Sequence, residues 1–244
     1  MPIPRFYCPE LNVPSSNLLE LSAAAHRHAV QVLRLKVGSS LRLFDGQGLE
    51  YEAVLDHITK RCSSVRLGEK WLTNNESPLE ITLLQGISRG ERMDYALQKA
   101  VELGVSRIIP VVTERCNVQL SKGRADKRMV HWQGVMISAC EQSGRNILPD
   151  LCNVMQLEEA VTHNNVGSCL VLDPLAETGF TTLERQDNIV LLVGPEGGLS
   201  EQEIQQASTA GFKAVRFGPR ILRTETATVA ALAVIQTMWG DLGG

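Results

Sequence analysis

Three stretches of the chain combine glycines, charges and hydroxyl groups at spacings that suit chemistry. The first is Gly-Pro-Glu-Gly-Gly-Leu-Ser at residues 194–200, which follows an apolar run and leads into a predicted helix. Its glycines let the backbone approach a ligand closely. Glu196 lies just before the helix, where the helix dipole favours an acid and where an acid also suits a cationic ligand. The alternative is an ordinary tight turn between a strand and a helix.

The second stretch is Phe-Gly-Pro-Arg-Ile-Leu-Arg-Thr-Glu-Thr-Ala at residues 217–227, again between a predicted strand and a predicted helix. Arg223 and Glu225 converge there with two hydroxyl groups. The apolar pair Ile221 and Leu222 is unusual for a loop exposed to water, and it favours the wall of a pocket. In the alternative, Thr224 caps the helix and Glu225 stabilises its first turn.

The third stretch is Cys-Glu-Gln-Ser-Gly-Arg-Asn at residues 140–146, at the end of a predicted helix. Arg145 either belongs to a site or only complements the helix dipole. Elsewhere, no glycine pattern matches a dinucleotide or phosphate fingerprint, which argues against a nucleotide-dependent oxidoreductase or kinase. The five histidines and six cysteines show no metal-ligand spacing, so we predict no metal.

Strands alternate with helices from residue 79 onward. Apolar runs predict strands at 81–87, 107–112, 168–172, 188–193 and 214–217, and helices are predicted over 93–101, about 126–143, 201–210 and from about 225. Ser200 and Glu203 form a capping box for the third of these helices. This alternation predicts an α/β fold with a mainly parallel sheet, whose ligands bind at the carboxyl ends of the strands.

The first 72 residues read differently, as short strands with one helix. Ser22 is the predicted N-cap of that helix, and Ala25, Ala29, Val32 and Leu33 form its predicted buried stripe. A polar stretch at 73–78 ends in proline and has the composition of a linker. We therefore predict a small β-rich domain at 1–72, a linker at 73–78 and an α/β domain at 79–244.

Composition places the chain among ordinary globular proteins and excludes disordered and fibrous classes. It has 244 residues, 43% of them hydrophobic, with 24 basic and 27 acidic side chains. The net charge of −3 gives no global argument for nucleic acid, but residues 115–128 carry five basic side chains against one acid. That run is either a local basic patch or a solvated helix face. Neither a membrane span nor a signal peptide is predicted, so we expect a cytoplasmic protein.

Taken in order, these segments resemble the SPOUT methyltransferases, and within them the family that methylates N3 of a uridine in 16S ribosomal RNA. The most specific match is Gly-Pro-Glu-Gly-Gly-Leu-Ser followed about 20 residues later by Arg-Ile-Leu-Arg-Thr-Glu-Thr-Ala. The resemblance covers essentially the whole chain. It also includes 4–7, 28–35, 43–46, 98–105, 114–116 and 139–146.

The resemblance implies a PUA-like β-barrel for RNA at the N-terminus and a C-terminal α/β domain with a deep trefoil knot. It also implies a homodimer whose active site is completed across the interface, no membrane association, and S-adenosyl-L-methionine (SAM) bound in the knot. The strand end at 172–174 would supply a further wall of the SAM site. The implied SAM-binding residues are Leu172, Leu192, Gly194, Glu196, Gly197, Gly198, Gly218, Ile221, Leu222 and Thr226.

A mechanism follows as a hypothesis from the chemistry of uracil, whose imide N3 must lose or share its proton before it attacks a methyl group. Glu225 is the expected proton acceptor because it lies in the loop that frames SAM. Arg223, or Arg145 of the partner subunit, is expected to stabilise the uracil anion.

Contacts to 16S rRNA in the small ribosomal subunit are expected from five basic side chains, against the alternative of ordinary surface charge. They are Arg5, His28, Arg34, Arg89 and Arg92. The runner-up function is a non-catalytic RNA-binding ribosome-assembly factor on the same scaffold. Such a protein would be expected to have a degraded glycine loop or to lack Arg223 and Glu225, and this sequence keeps all of them.

Overall fold

The computed structural model describes residues 3–12, 16–116 and 122–243. The chain forms two compact units, which are treated separately below. The N-terminal unit comprises Met1–Glu76 with Cys140–Leu148, and the C-terminal unit comprises Ser77–Ala139 with Pro149–Gly244. The border between Glu76 and Ser77 falls inside the stretch that we predict as a linker. The sequence pattern does not predict that Cys140–Leu148 belongs with the first unit.

The N-terminal unit contains a five-stranded mixed sheet. Its strands are β1 (Arg5–Tyr7), β2 (Leu18–Glu20), β3 (Ser40–Phe44), β4 (Leu49–Ile58) and β5 (Ser63–Leu72), in the order β1-β3-β4-β5-β2. β1 runs parallel to β3, and the other pairs are antiparallel. The Asp45 carboxylate accepts hydrogen bonds from the backbone N–H groups of Gln47 and Leu49 and so holds the turn between β3 and β4.

The helical segment of this unit differs from its prediction. Ser22 caps α1 (Ala23–His26) by accepting a hydrogen bond from the Ala25 N–H, as expected. The helix then continues as a π-helix over Arg27–Val32. Ala25 and Ala29 are buried, but Val32 is 68% exposed and Leu33 is also exposed. The predicted stripe is wrong at these two positions because the wider π turn rotates them away from the face that a 3.6-residue period assigns them.

The C-terminal unit contains a parallel sheet, which confirms the prediction. Its strands are β6 (Glu80–Gly86), β7 (Arg107–Val112), β8 (Asp150–Leu151), β9 (Met155–Gln156), β10 (Ser168–Leu172), β11 (Asn188–Val193) and β12 (Lys213–Val215). The order is β12-β10-β11-β6-β7-β8, with β9 also paired to β7, and every pair is parallel. The carboxyl ends of β12, β10, β11 and β6 therefore lie side by side at one edge.

Helices connect these strands. They are α2 (Glu91–Glu102), α3 (Lys122–Ser143), α4 (Leu157–His163), α5 (Glu201–Thr209) and α6 (Thr224–Trp239). The predicted apolar positions of α2, from Met93 to Val101, are all buried. α5 begins at the predicted capping box: the Ser200 side chain accepts from the Glu203 N–H, and the Glu203 carboxylate accepts from the Ser200 N–H. α6 begins at Thr224, directly after the second motif.

Candidate active site

A cavity of about 420 Å³ lies at the carboxyl ends of β10, β11 and β12, and the first two sequence motifs line it. Such a volume lies in the range of about 300–1,000 Å³ typical of small-molecule sites. Three segments form most of its wall, at 172–175, 193–199 and 215–222, together with Arg115 and the start of α6. This is the edge at which a doubly wound sheet binds its ligands.

Eight of the ten predicted SAM-binding residues line this cavity: Leu172, Gly194, Glu196, Gly197, Gly198, Gly218, Ile221 and Leu222. The other two do not. Leu192 is fully buried inside β11, where it packs in the core, and Thr226 is exposed on α6.

Close backbone packing shapes the loop that follows β11. A Cβ atom on Gly86, at the end of β6, would lie 2.5 Å from the backbone nitrogen of Pro195, so only glycine fits there. Gly198 has φ +69°, the left-handed region that glycine adopts without strain, and a Cβ there would meet open space. The loop is thus pressed onto β6 on one side and left open toward the cavity on the other.

A buried polar network ties this loop to α6. The Thr224 hydroxyl donates to the Gly194 carbonyl at 2.6 Å and accepts from Gln85 Nε2 at 3.3 Å. Thr228 in turn donates to Gln85 Oε1 at 2.8 Å. Thr224 is the first residue of α6, and the N-cap position belongs to Arg223. The Thr224 side chain links α6 to β6 and to the loop after β11. The alternative in which Thr224 caps the helix is wrong because its hydroxyl is used by Gly194.

Apolar side chains stand exposed at the rim of the cavity. Leu175 is 82% exposed and Ile221 is 86% exposed, and both line it. Large apolar side chains left in water beside a cavity are typical of a ligand-binding surface. A flat, mostly apolar group such as an adenine ring would cover them, and the donor and acceptor groups of the backbone loops would orient its edge. The lining therefore fits SAM.

A second, smaller cavity of about 230 Å³ adjoins the first. Its lining consists of Arg92, Glu196, Arg223, Thr224 and Glu225. Glu196 and Thr224 line both cavities, so the two share a wall. The structure thus brings the predicted catalytic pair Arg223 and Glu225 to the edge of the predicted SAM site.

Glu196 is held in place by the loop before α2. One of its carboxylate oxygens accepts from the backbone N–H of Arg89 at 2.9 Å and from Arg92 Nη1 at 3.1 Å. Burial pushes the pKa of Glu196 upward, but these hydrogen bonds and the Arg92 charge outweigh it, and the pKa lies below its ordinary value. Glu196 therefore remains ionised near neutral pH and serves as an acceptor.

Glu225 has a buried carboxylate oxygen without a hydrogen-bond partner. This atom is Oε2, and none of the described residues bonds to it. Buried polar atoms are almost always paired, so such an atom calls for an explanation such as a catalytic role or a missing ligand. A proton-bearing group placed in the smaller cavity would supply the partner.

The predicted residues Arg5, His28 and Arg145 all lie in the N-terminal unit and are bonded within it. Arg145 donates from Nε and Nη2 to Glu76 Oε2, and its side chain is almost fully buried. Arg5 is 10% exposed and donates to Cys140 O, Asn146 Oδ1 and Glu50 Oε1.

His28 Nδ1 lies 3.4 Å from Glu141 Oε2, and the Glu141 carboxylate also accepts from the Tyr7 N–H. Burial nevertheless raises the pKa of Glu141 above its ordinary value. These bonds show that Arg5 and Arg145 stabilise their own unit. The expected contacts of Arg5 and His28 with RNA, and of Arg145 with a partner's substrate, stay predictions. Arg34, by contrast, is exposed and has a positive φ of 55°.

Sequence reasoning missed several residues of this site. Gln85 is a fully buried polar residue at the carboxyl end of a core strand, a signal that could have found it. Arg115 lines the larger cavity and donates to the Gly197 carbonyl at 3.2 Å; the basic run that begins there pointed to it. Phe217 and Arg220 also line the cavity, and their place in the second motif was the available signal.

Within residues 3–12, 16–116 and 122–243, no group of three or more His, Cys, Asp or Glu side chains is arranged to hold a metal ion. Over the same residues, none of the helices combines the length and the apolar composition needed to cross a bilayer.

Comparison with known proteins gives two family matches. The profile described as RNA methyltransferase domain matches residues 75–236, and the profile described as RNA methyltransferase PUA domain matches residues 22–65. A curated relative is ribosomal RNA small subunit methyltransferase E of Buchnera aphidicola subsp. Schizaphis graminum. It is 35% identical over 98% of this chain and 98% of its own length.

Two solved structures match over nearly their whole length. A methyltransferase from Legionella pneumophila in complex with SAM is 40% identical with a TM-score of 0.96, covering 99% of this chain and 100% of the other. The ribosomal RNA small subunit methyltransferase E of Neisseria gonorrhoeae bound to SAM is 45% identical with a TM-score of 0.88, covering 98% and 99%. These matches confirm the resemblance drawn from the motifs: the chain belongs to the RNA methyltransferase family, with that family's PUA domain in its N-terminal part.

Proposed function

We propose that this protein transfers the methyl group of SAM to N3 of a specific uridine in the 16S rRNA of the small ribosomal subunit. The observation that carries the proposal is the pair of adjoining cavities, one suited to SAM and one lined by Glu225, whose Oε2 has no hydrogen-bond partner among the described residues. The full-length relatives named as small subunit rRNA methyltransferases support the class of substrate. The choice of uridine N3 rests on the motifs and on the chemistry of the smaller cavity.

SAM would be held by the three loops of the larger cavity, with its adenine against Leu172, Ile221 and Leu222. When bound, SAM supplies an electrophilic methyl group, and its sulfur keeps the electron pair of the broken carbon–sulfur bond. The loops of the larger cavity would hold that methyl group near the wall that the two cavities share, at Glu196 and Thr224. Positioning of this kind supplies most of the rate of an in-line displacement.

Glu225 accepts the N3 proton of uracil through Oε2, which leaves the N3 lone pair free to form the new nitrogen–carbon bond. Arg223 faces the same cavity and stabilises the negative charge that spreads onto the uracil carbonyl oxygens. Glu225 later returns its proton to water. General base catalysis of this kind contributes roughly 10²–10⁴-fold.

Several further features belong to the same proposal. The N-terminal domain, residues 1–72, binds RNA, with Arg5, His28 and Arg34 as contacts. Residues 73–78 link it to the methyltransferase domain, 79–244. Arg89 and Arg92 contribute from the loop and first turn of α2. The protein acts as a homodimer in which Arg145 of the partner subunit approaches the substrate, and its C-terminal domain contains a deep trefoil knot.

The test is methyl transfer from labelled SAM to small ribosomal subunits that lack their own methylation, followed by mass spectrometry of the nucleosides. The expected product is N3-methyluridine. Label at another position would refute the proposed acceptor. If SAM binds but no label reaches subunits or naked 16S rRNA, the non-catalytic assembly factor becomes the better account.

A further inference from the structure

The smaller cavity has a size and a position that limit what can occupy it. Its volume of about 230 Å³ lies below the range of roughly 300–1,000 Å³ typical of drug-sized ligands, so it suits a single planar ring. It shares Glu196 and Thr224 with the larger cavity. A ring bound there therefore lies next to whatever the larger cavity holds.

The side chains that line it offer a definite set of hydrogen-bonding groups. Arg92 and Arg223 carry only donors, and Glu225 Oε2 is an unused acceptor. The imide edge of uracil presents two carbonyl acceptors on either side of one N–H donor. Cytosine presents an amino donor, a ring-nitrogen acceptor and one carbonyl along the same edge. Two donors and one acceptor therefore satisfy uracil and leave cytosine mismatched at two of three positions.

We propose that the smaller cavity takes the acceptor nucleobase and that Arg92, with Arg223 and Glu225, reads its imide edge. This inference rests on the proposed function and deepens it, because it assigns the acceptor subsite and the basis of uracil selection. It also changes the role of Arg92, which the sequence alone assigned to phosphate contact.

Arg92 is placed for this role by Glu196. Its Nη1 pairs with Glu196 Oε1 at 3.1 Å, and its side chain is 48% exposed. A guanidinium carries five N–H donors in a rigid plane, so one pairing fixes its orientation and leaves donors for a ligand. Glu196 also accepts the Arg89 N–H, which anchors the carboxylate itself. Glu196 is therefore a positioning residue, and Arg92 contacts the base.

The test compares Arg92→Ala and Arg92→Lys with wild type on unmodified small subunits at saturating SAM. We expect Arg92→Ala to lower kcat about 10²-fold, the usual loss for one donor that stabilises developing charge. The KM for subunits and the affinity for SAM should stay within twofold of wild type. Arg92→Lys keeps the charge opposite Glu196 but not the planar fork, so it should bind SAM normally and remain impaired in kcat. Arg185→Ala, an exposed arginine outside both cavities, is the matched control.

A second arm uses subunits in which the acceptor uridine is replaced by cytidine. Sites built to pair a polar edge reject a mismatched analogue by about 10⁴–10⁵-fold, so wild type should leave these subunits unlabelled. Comparable labelling of the cytidine would overturn the proposal.

Two other results in the first arm would also overturn it. One such result is that Arg92→Ala raises the KM for subunits, leaves kcat unchanged, and reduces the slope of log affinity against log salt concentration by about one. Arg92 would then bind a phosphate. If its loss of activity follows a matching loss of SAM affinity, Arg92 acts only through the Glu196 loop. In both cases wild type still makes N3-methyluridine, and the proposed function stands. Absence of that product with wild type would refute the proposed function itself.

Discussion

The charged residues predicted to act in function are held differently in the two units of this protein. In the N-terminal unit, the guanidinium groups of Arg5 and Arg145 are buried and bonded to carboxylates, an amide and a carbonyl of the same unit. In the C-terminal unit, the motif that contains Arg223 and Glu225 has one carboxylate oxygen with no partner in the part of the chain that the structure describes, and one isoleucine that is almost fully in water. Residue type made all these positions candidates. The two arginines are bonded, whereas Glu225 Oε2 is one of five buried side-chain atoms of the described residues that have no hydrogen-bond partner; Glu76 Oε1, beside Arg145, is another.

We infer that the bonded arginines stabilise the fold and that Glu225 Oε2 pairs with a ligand. A buried ion pair is already satisfied, and its arginine can reach a substrate only by leaving its partner. An unpaired carboxylate oxygen beside a cavity costs free energy in the unliganded protein, and a ligand removes that cost. Four single-residue variants test this distinction.

Glu225→Gln should lower the methyl-transfer rate by roughly 10²–10⁴-fold, because an amide cannot accept the N3 proton. SAM binding and the unfolding midpoint should stay close to wild type. Single-turnover transfer with excess enzyme and SAM measures the effect. Glu201→Gln, an exposed acid in the first turn of α5, is the matched control. Full turnover in Glu225→Gln would remove Glu225 from the role of base.

Arg145→Ala should destabilise the N-terminal unit by about 3–5 kcal/mol, because it leaves the Glu76 carboxylate buried without its partner. Urea unfolding monitored by circular dichroism gives the loss. Arg66→Ala removes an exposed pair with Asp56 in the same unit and should cost less than about 1 kcal/mol. If Arg145→Ala is as stable as wild type yet inactive, Arg145 acts in catalysis and does not stabilise the fold.

Thr224→Val should weaken SAM binding by about tenfold and cost about 1–3 kcal/mol of stability. The Gly194 carbonyl and Gln85 both lose a partner in a buried position. Calorimetric titration with SAM and thermal unfolding measure the two effects. Thr237→Val, which removes an exposed hydroxyl from the same helix, provides the comparison. Unchanged SAM affinity in Thr224→Val would show that the hydrogen bonds of the Thr224 hydroxyl do not shape the cavity.

Ile221→Ala should leave stability within about 0.5 kcal/mol of wild type, since the side chain is exposed. Its affinity for SAM should nevertheless fall by up to about tenfold. Full burial of an isoleucine contributes about 1.5–3 kcal/mol, and partial cover at an open rim contributes less. The same titration measures it, with the exposed Val130 of α3 changed to alanine as control. Equal affinities in both variants would mean that SAM does not cover this rim.

Local patterns predicted much of the C-terminal fold. The apolar runs at 107–112, 168–172 and 188–193 coincide with β7, β10 and β11, and the Ser200 box begins α5. These signals depend on residues near one another in the chain, so they survive without any knowledge of tertiary contacts. Eight of the ten residues predicted to bind SAM line the larger cavity, because motif order and strand ends already placed the loops.

Long-range pairing explains what the sequence did not predict. The bond between Arg145 and Glu76 joins residues far apart in the chain, as does the link from Gln85 to Thr224. No spacing rule connects such positions, and a motif does not show whether its arginine is already paired. The π-helix over Arg27–Val32 was not predicted for a different reason: the 3.6-residue period assumes a regular α-helix.

The most direct test of the two-cavity account is a crystal structure with sinefungin, an inert SAM analogue that carries an amine in place of the transferable methyl group. The account predicts adenine against Leu172, Ile221 and Leu222, with the amine at the wall formed by Glu196 and Thr224 and directed toward Glu225. An analogue bound elsewhere, or with its amine directed away from the smaller cavity, would contradict the account.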